Sequence, residues 1–180
     1  MLRVCIVTGL LLLASSAAAF DAGDLAKLKS TGSCRGCDLS SADLHGLDLK
    51  GAHLSGADLS EAKLDTANLS GALLRGADLS RATGSFLDLA GADLSGARLV
   101  AFDACYDQDF TRAIFRGADL SNAKLCATAW SGADLSGAVL SGADLTYTHD
   151  LTQAQLDRAC GDESTKLPAA TFNIPRCNTD

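Results

Sequence analysis

Ser55-Gly56-Ala57-Asp58-Leu59-Ser60-Glu61-Ala62-Lys63-Leu64 is the stretch that decides the fold. Leucine recurs after five residues, alanine stands two before each leucine, and the remaining positions are small or polar. Followed outward, the pattern runs from residue 38 to residue 147. With Leu39 as the first central position, centres fall every five residues to Ala104, then from Phe110 to Leu145, giving 22 units. Leucine holds 17 centres, Phe110, Phe115 and Trp130 hold three, and alanine fills 16 of the positions two before. A period of five matches neither the 3.6 of a helix nor the 2.0 of a strand, so the chain has to turn in every unit.

If the centre and the alanine before it point inward, leucine fills the interior and alanine lets the backbone pass close at the corners. The other three positions then face water. Glycine stands two after the centre in 11 of the 22 units, where a tight corner suits a residue that tolerates positive φ.

The units Ser55-Gly56-Ala57-Asp58-Leu59, Arg116-Gly117-Ala118-Asp119-Leu120 and Ser131-Gly132-Ala133-Asp134-Leu135 resemble the pentapeptide repeat family, and the resemblance covers all of residues 38–147. It implies an all-β fold, a right-handed quadrilateral β-helix in which four units make one square coil and coils stack as a solenoid. At a rise of about 4.8 Å per coil, the repeats make about five and a half coils and a rod of roughly 26 Å. Each coil buries itself only on its neighbours, so both ends need caps. Residues 20–37 form the N-terminal cap, with Leu25 and Leu28 on one face of a short helix. Residues 148–180 form the C-terminal cap: helical spacing from Leu151 to Ala159, Gly161 as its stop, then an extended tail folded over the last coil. The cysteine-bearing ends resemble exported bacterial members of the family.

Two irregularities interrupt the repeats. Gly84 and Ala104 leave the same face of adjacent coils without a large centre, and Phe102 is expected to fill the vacancy. From Leu99 to Phe110 the spacing is 11 rather than 10, so one extra residue among Ala104 to Asp107 has to bulge out of the ladder at a corner. Such a bulge serves either as a contact loop or as a tolerated insertion.

The first 19 residues differ in character. Arg3, an apolar run from Val4 to Leu13 and the small residues Ala17 and Ala19 describe a secretory signal peptide cleaved before Phe20. The run is too short for a membrane anchor, which needs about 20 apolar residues. Cys5 leaves with the peptide. The mature chain is therefore expected in the periplasm or outside the cell, without a membrane span.

Six cysteines remain. Cys34-x-x-Cys37 lacks the strand-to-helix context of a redox motif and a second ligand pair for zinc, so a structural disulfide suits an oxidising destination. Cys105 and Cys126 are 21 apart, one coil plus the inserted residue, and so follow the same face in adjacent coils within bridging distance. The rod keeps its two ends too far apart for a bridge between them. The expected pairs are Cys34 with Cys37, Cys105 with Cys126, and Cys160 with Cys177.

No catalytic constellation, metal site or cofactor site is expected. His45, His53 and His149 belong to a convex surface, where a perturbed pKa is rare. The net charge of -7 argues against direct binding of nucleic acid and for a basic partner. Positions 20 apart stack on one face, so Asp38, Asp58 and Asp78 form a column flanked by Glu61, ended by Arg98, and expected to be uncompensated. The neighbouring face alternates Asp43, Lys63, Asp103, Lys124 and Asp144. The expectation is an exported, non-catalytic structural or protein-interaction module whose partner face is Asp38, Asp58 and Asp78; outward Leu73 and Ile114 beside Arg75 and Arg116 are the alternative face. The family resemblance also implies a DNA-mimicking inhibitor of a gyrase-type enzyme, which a signal peptide would place on the wrong side of the membrane.

Overall fold

The computed structural model describes residues 20–177, so the expected signal peptide, residues 1–19, lies outside the described residues. Parallel bridges join each residue before a centre to its counterpart 20 further on, as in Asp38 to Asp58 to Asp78 to Arg98 and Asp43 to Lys63 to Thr83 to Asp103. Four such ladders, one per side, make a square coil. Each rung uses two hydrogen bonds: Asp58 N–H donates to Cys37 O at 2.9 Å, and Leu39 N–H donates to Asp58 O at 2.8 Å. Between rungs the alanine N–H donates back to the previous centre, as Ala57 to Leu54 at 3.0 Å, closing a β-turn. The third residue of that turn needs a positive φ, and Gly56 takes 69°.

All 22 centres are buried, and so is nearly every residue two before them. Leu47, standing where alanine is usual, is only half-buried. The core is thus a stack of leucine layers with alanine at the corners, widened where Phe110, Phe115 and Trp130 meet. Phe110 lies edge-on to both rings, with centroids 5.4 and 4.9 Å away. The buried Trp130 Nε1 donates to Thr128 Oγ1, and that hydroxyl donates to Leu125 O at 2.7 Å, so the enlarged layer leaves both groups satisfied.

The extra residue is absorbed at one corner. Rungs step by 20 up to Thr83 and Asp103 and by 21 from Asp88 and Asp109, before returning to 20 at Ile114 and Asp134. Just past the bulge, β1 (Gln108–Asp109) pairs in parallel with β2 (Thr128–Ala129). Gln108 sits at an inward position, and its Nε2 donates to Gly84 O at 2.7 Å. Phe102 is fully buried in the Ala104 unit. The space over Gly84 itself is taken by Leu87, whose Cδ2 would lie 3.0 Å from a Cβ added there.

The ladder extends beyond the pentapeptide pattern at both ends, from Ser33 paired with His53 to Lys166 paired with Asp144. At the start, α1 (Ala22–Thr31) lays Leu28 on the first coil. Asp21 caps it by accepting from Gly23 and Asp24 N–H, and Gly32 ends it with φ 66°. At the far end, α2 spans only Gln153–Leu156, not the run to Ala159. It is stopped because Cys160 is drawn back into the ladder beside Val139, which Ala159 cannot reach from within a helix. Gly161 is likewise no helix stop; it pairs with Arg176 of the returning tail. Among the described residues, no helix is long and apolar enough to cross a membrane.

Candidate functional site

The three aspartates of the expected partner face stack rung upon rung, because the backbone of each is bridged to the next. Their Oδ1 atoms look back along the chain: Asp38 accepts from Ser40 N–H at 3.1 Å, Asp58 from Ser60 at 2.9 Å and Asp78 from Ser80 at 2.9 Å. The Ser40 hydroxyl also donates to Asp38, and this bond, helped by the backbone one, holds that carboxyl below its ordinary value. Every carboxylate therefore keeps Oδ2 as its outward acceptor. Asp78 spends part of that capacity on Arg98, whose Nη1 lies 3.8 Å from its Oδ2. Glu61, at the flank, is paired with Arg81 at 2.5 Å. The expectation of three uncompensated carboxylates is thus corrected: among the described residues, Asp38 and Asp58 lack a cation within 4.0 Å, while Asp78 has one.

The face with Leu73 and Ile114 is occupied by its own ion pairs. His53, Leu73, Asp93, Ile114 and Asp134 follow one another up one ladder. Arg75 Nε contacts Asp93 and Arg116 Nε contacts Asp134, both at 2.5 Å, which lays each arginine across the apolar residue one rung below. Asp134 is pulled down to about 2, chiefly by the Ser136 hydroxyl, against partial burial and with help from Arg116. For Asp93, burial pushes upward, but Ser95 and Arg75 together outweigh it and keep the carboxyl below its ordinary value. Leu73 and Ile114 are half-buried as a result. They offer less apolar area than two outward aliphatic side chains would suggest.

The cysteines form three bridges. Cys34 joins Cys37, Cys105 joins Cys126 and Cys160 joins Cys177, with Cα separations of 5.3, 4.5 and 4.8 Å. Asp24, Cys34 and Cys37 are the group of ligand-type side chains that converge among the described residues. Both sulfurs are consumed in the bridge, and Asp24 Oδ2 accepts from Asp38 N–H at 3.0 Å, so this set does not fit a metal ion. His45, His53 and His149 are exposed and lie at separate places on the surface.

Two features escaped the sequence reading. A cleft of about 870 Å³ opens where α1 fails to cover one side of the first coil, with Leu28, Leu47 and Leu49 at its floor and Lys29, Lys50 and His53 at its rim. Its signal was Leu47 in an alanine position. The other is a corner carrying Phe86, Tyr106 and Tyr147, each more than half exposed. Its signal was an aromatic residue in a slot that elsewhere holds glycine.

A family model of pentapeptide repeats matches in 8 copies over residues 33–71, 62–99, 107–128 and 130–160. None of the curated proteins compared with the chain matches it. Among solved structures, a pentapeptide repeat protein from the Arabidopsis thaliana thylakoid lumen is 30% identical over 72% of this chain and 84% of its own, with a TM-score of 0.57. Rfr23 from the cyanobacterium Cyanothece is 24% identical over 81% of this chain and 97% of its own, at a TM-score of 0.58. HetL, a pentapeptide repeat protein involved in heterocyst differentiation regulation in Nostoc, is 29% identical over 71% of this chain at a TM-score of 0.46; the chain spans 63% of its length. The five-residue period, the one-coil register of the ladders and these likenesses agree on a right-handed quadrilateral β-helix, and the chain belongs to the pentapeptide repeat family.

Proposed function

We propose that the protein is an exported, non-catalytic rod of about five and a half coils, roughly 26 Å long, that presents a rigid face to a basic protein or envelope component. The observation that carries this reading is the register of Asp38, Asp58 and Asp78. The coil backbone fixes these carboxylates in line, and neighbours at about 5 Å repel by roughly 1 kcal/mol in water. A partner bringing lysine or arginine relieves that repulsion without an ordering cost on this side. Asp38 and Asp58 lead the contact, and Asp78 joins it by exchanging Arg98 for the partner's cation. Three disulfides in a chain of this size support an oxidising destination.

Two measurements test the proposal. Edman sequencing of the purified mature protein should begin at Phe20; a retained Met1 overturns export. Replacing Asp38, Asp58 and Asp78 together with asparagine keeps the Oδ1 acceptor of each turn and removes only charge. Capture of a basic partner from an envelope extract should then fall and lose its salt dependence, since exposed charges are screened beyond about 10 Å at 0.1 M. Capture that is unchanged, and insensitive to salt in the parent, refutes the face.

A further inference from the structure

Phe86, Tyr106 and Tyr147 are the large apolar side chains left exposed among the described residues, at 60, 66 and 78%. Single exposed apolar residues are ordinary on any protein. These three, however, share one of the four corners of the rod. Thr66 N–H donates to Ser85 O, Phe86 N–H donates to Tyr106 O and Ala127 N–H donates to Thr146 O, so the corner climbs from Thr66 through Phe86, Tyr106 and Ala127 to Tyr147. The rings therefore stand one and then two rungs apart, about 5 and about 10 Å along the rod axis. The backbone there also carries a cost: Phe86 and Tyr147 hold φ of 55° and 60° at a turn position filled by glycine in half of all units. The bridge between Cys105 and Cys126 ties the two middle rungs of the same corner together.

We infer that this edge is a stacking ladder for a neutral, β-linked polysaccharide lying along the rod axis. Aromatic rings on a straight line stack on the apolar faces of pyranose rings, and the coil repeat is close to the length of one such sugar unit. The alternatives fit less well. At 150–250 Å² per aromatic side chain, the exposed parts of the three offer roughly 400 Å², about half of the ~800 Å² per partner that a stable protein interface buries. A second copy of the chain is therefore poorly served by this edge alone. Anionic polymers are disfavoured by charge, because Asp65 and Asp107 flank the rings and no lysine or arginine occupies the turn positions of this corner. Asp65, Ser85, Asp107 and Thr146 instead supply hydrogen-bonding groups of the kind that sugar hydroxyls use. A corner locked by backbone rungs and a disulfide presents the rings already ordered, which removes the entropy cost of arranging them. The inference does not depend on the aspartate face, which lies on another side of the rod.

The test is affinity electrophoresis of the mature protein in gels containing hydroxyethyl cellulose, mixed-linkage β-glucan or glycol chitin, with cellohexaose titrated by calorimetry. The parent should be retarded by at least one of the three. Tyr147→Gly and Tyr106→Ala should each weaken binding on the order of three- to tenfold, the usual range for one aromatic stacking contact. Tyr147→Gly carries its own control: it relieves a left-handed backbone, so its melting temperature should hold or rise while binding falls. Retardation by none of the three glycans overturns the inference. So does retardation that the Tyr106→Ala, Tyr147→Gly double variant leaves unchanged. A dimer in sedimentation of the parent that the double variant abolishes would assign the edge to a second copy, and would overturn it equally.

Discussion

Gly56 and Ala101 occupy the same turn position in different units, at φ 69° and 55°. A Cβ at Gly56 would meet nothing within 4 Å, so Gly56→Ala changes backbone energy alone. It should destabilise the fold by about 1 kcal/mol, because a left-handed conformation crowds Cβ against the following carbonyl. Ala101→Gly reverses that crowding but frees the unfolded chain, for a net gain of about 0.5 kcal/mol. Urea denaturation of the two variants should move in opposite directions; movement in the same direction would mean that corner conformation does not limit stability. The inward positions are a different matter. Leu94→Ala removes a fully buried centre from a layer whose neighbours are held by backbone rungs and cannot collapse, so it should cost about 2–5 kcal/mol. Both outcomes were legible from the five-residue pattern, since position in the unit alone separates a corner from a centre.

The inserted residue and its disulfide form the element that departs most from the repeat. Cys105 and Cys126 close a loop 21 residues apart in sequence. Loop-closure entropy puts the bridge at about 3 kcal/mol, but the rungs from Asp103 to Lys124 and from Gln108 to Thr128 already hold the same two coils. Cys105→Ser with Cys126→Ser should therefore lose less than that in a denaturant titration and keep the β-helical circular dichroism. Collapse of the fold would show that the bulge depends on the bridge for its register. The cap elements were harder to read than the repeats. Helical spacing from Leu151 to Ala159 is real in the sequence, yet α2 closes after Leu156, which is buried over the last coil. Ladder hydrogen bonds to Cys160 outweigh two or three residues of helix, and no local pattern in the cap announces that competition.

For the whole rod, acid is the revealing condition. Burial alone would raise Asp93 and Asp144, but the serine or threonine two residues on and a cation one rung away hold both below the ordinary 3.8, and Asp134 is brought to about 2. A carboxyl depressed in the folded state favours folding when ionised. The stabilisation is complete above the ordinary value and disappears as pH falls from 3.8 toward about 2. Urea midpoints should therefore be flat through the neutral range and drop steeply only below about pH 4. Asp134→Asn should flatten part of that drop, whereas a fall already under way at pH 6 would point to groups other than these aspartates.

The sequence by itself determined the period, which residues face inward, where glycine turns the chain and where one residue too many must bulge. These follow because each unit repeats the same local demand, and five residues contain the whole of it. The family resemblance then supplied the four-sided coil, and with it the neighbour of every residue one coil away. The tertiary structure decided what depends on groups that no repeat specifies: that Arg98 reaches Asp78, that arginines lie across Leu73 and Ile114, that Leu87 fills the space at Gly84, and that α1 leaves a cleft beside Leu47. Long side chains choose among several partners within reach, and a cap must fit one particular end. Those choices are settled by distances across coils, which the order of residues along the chain does not contain.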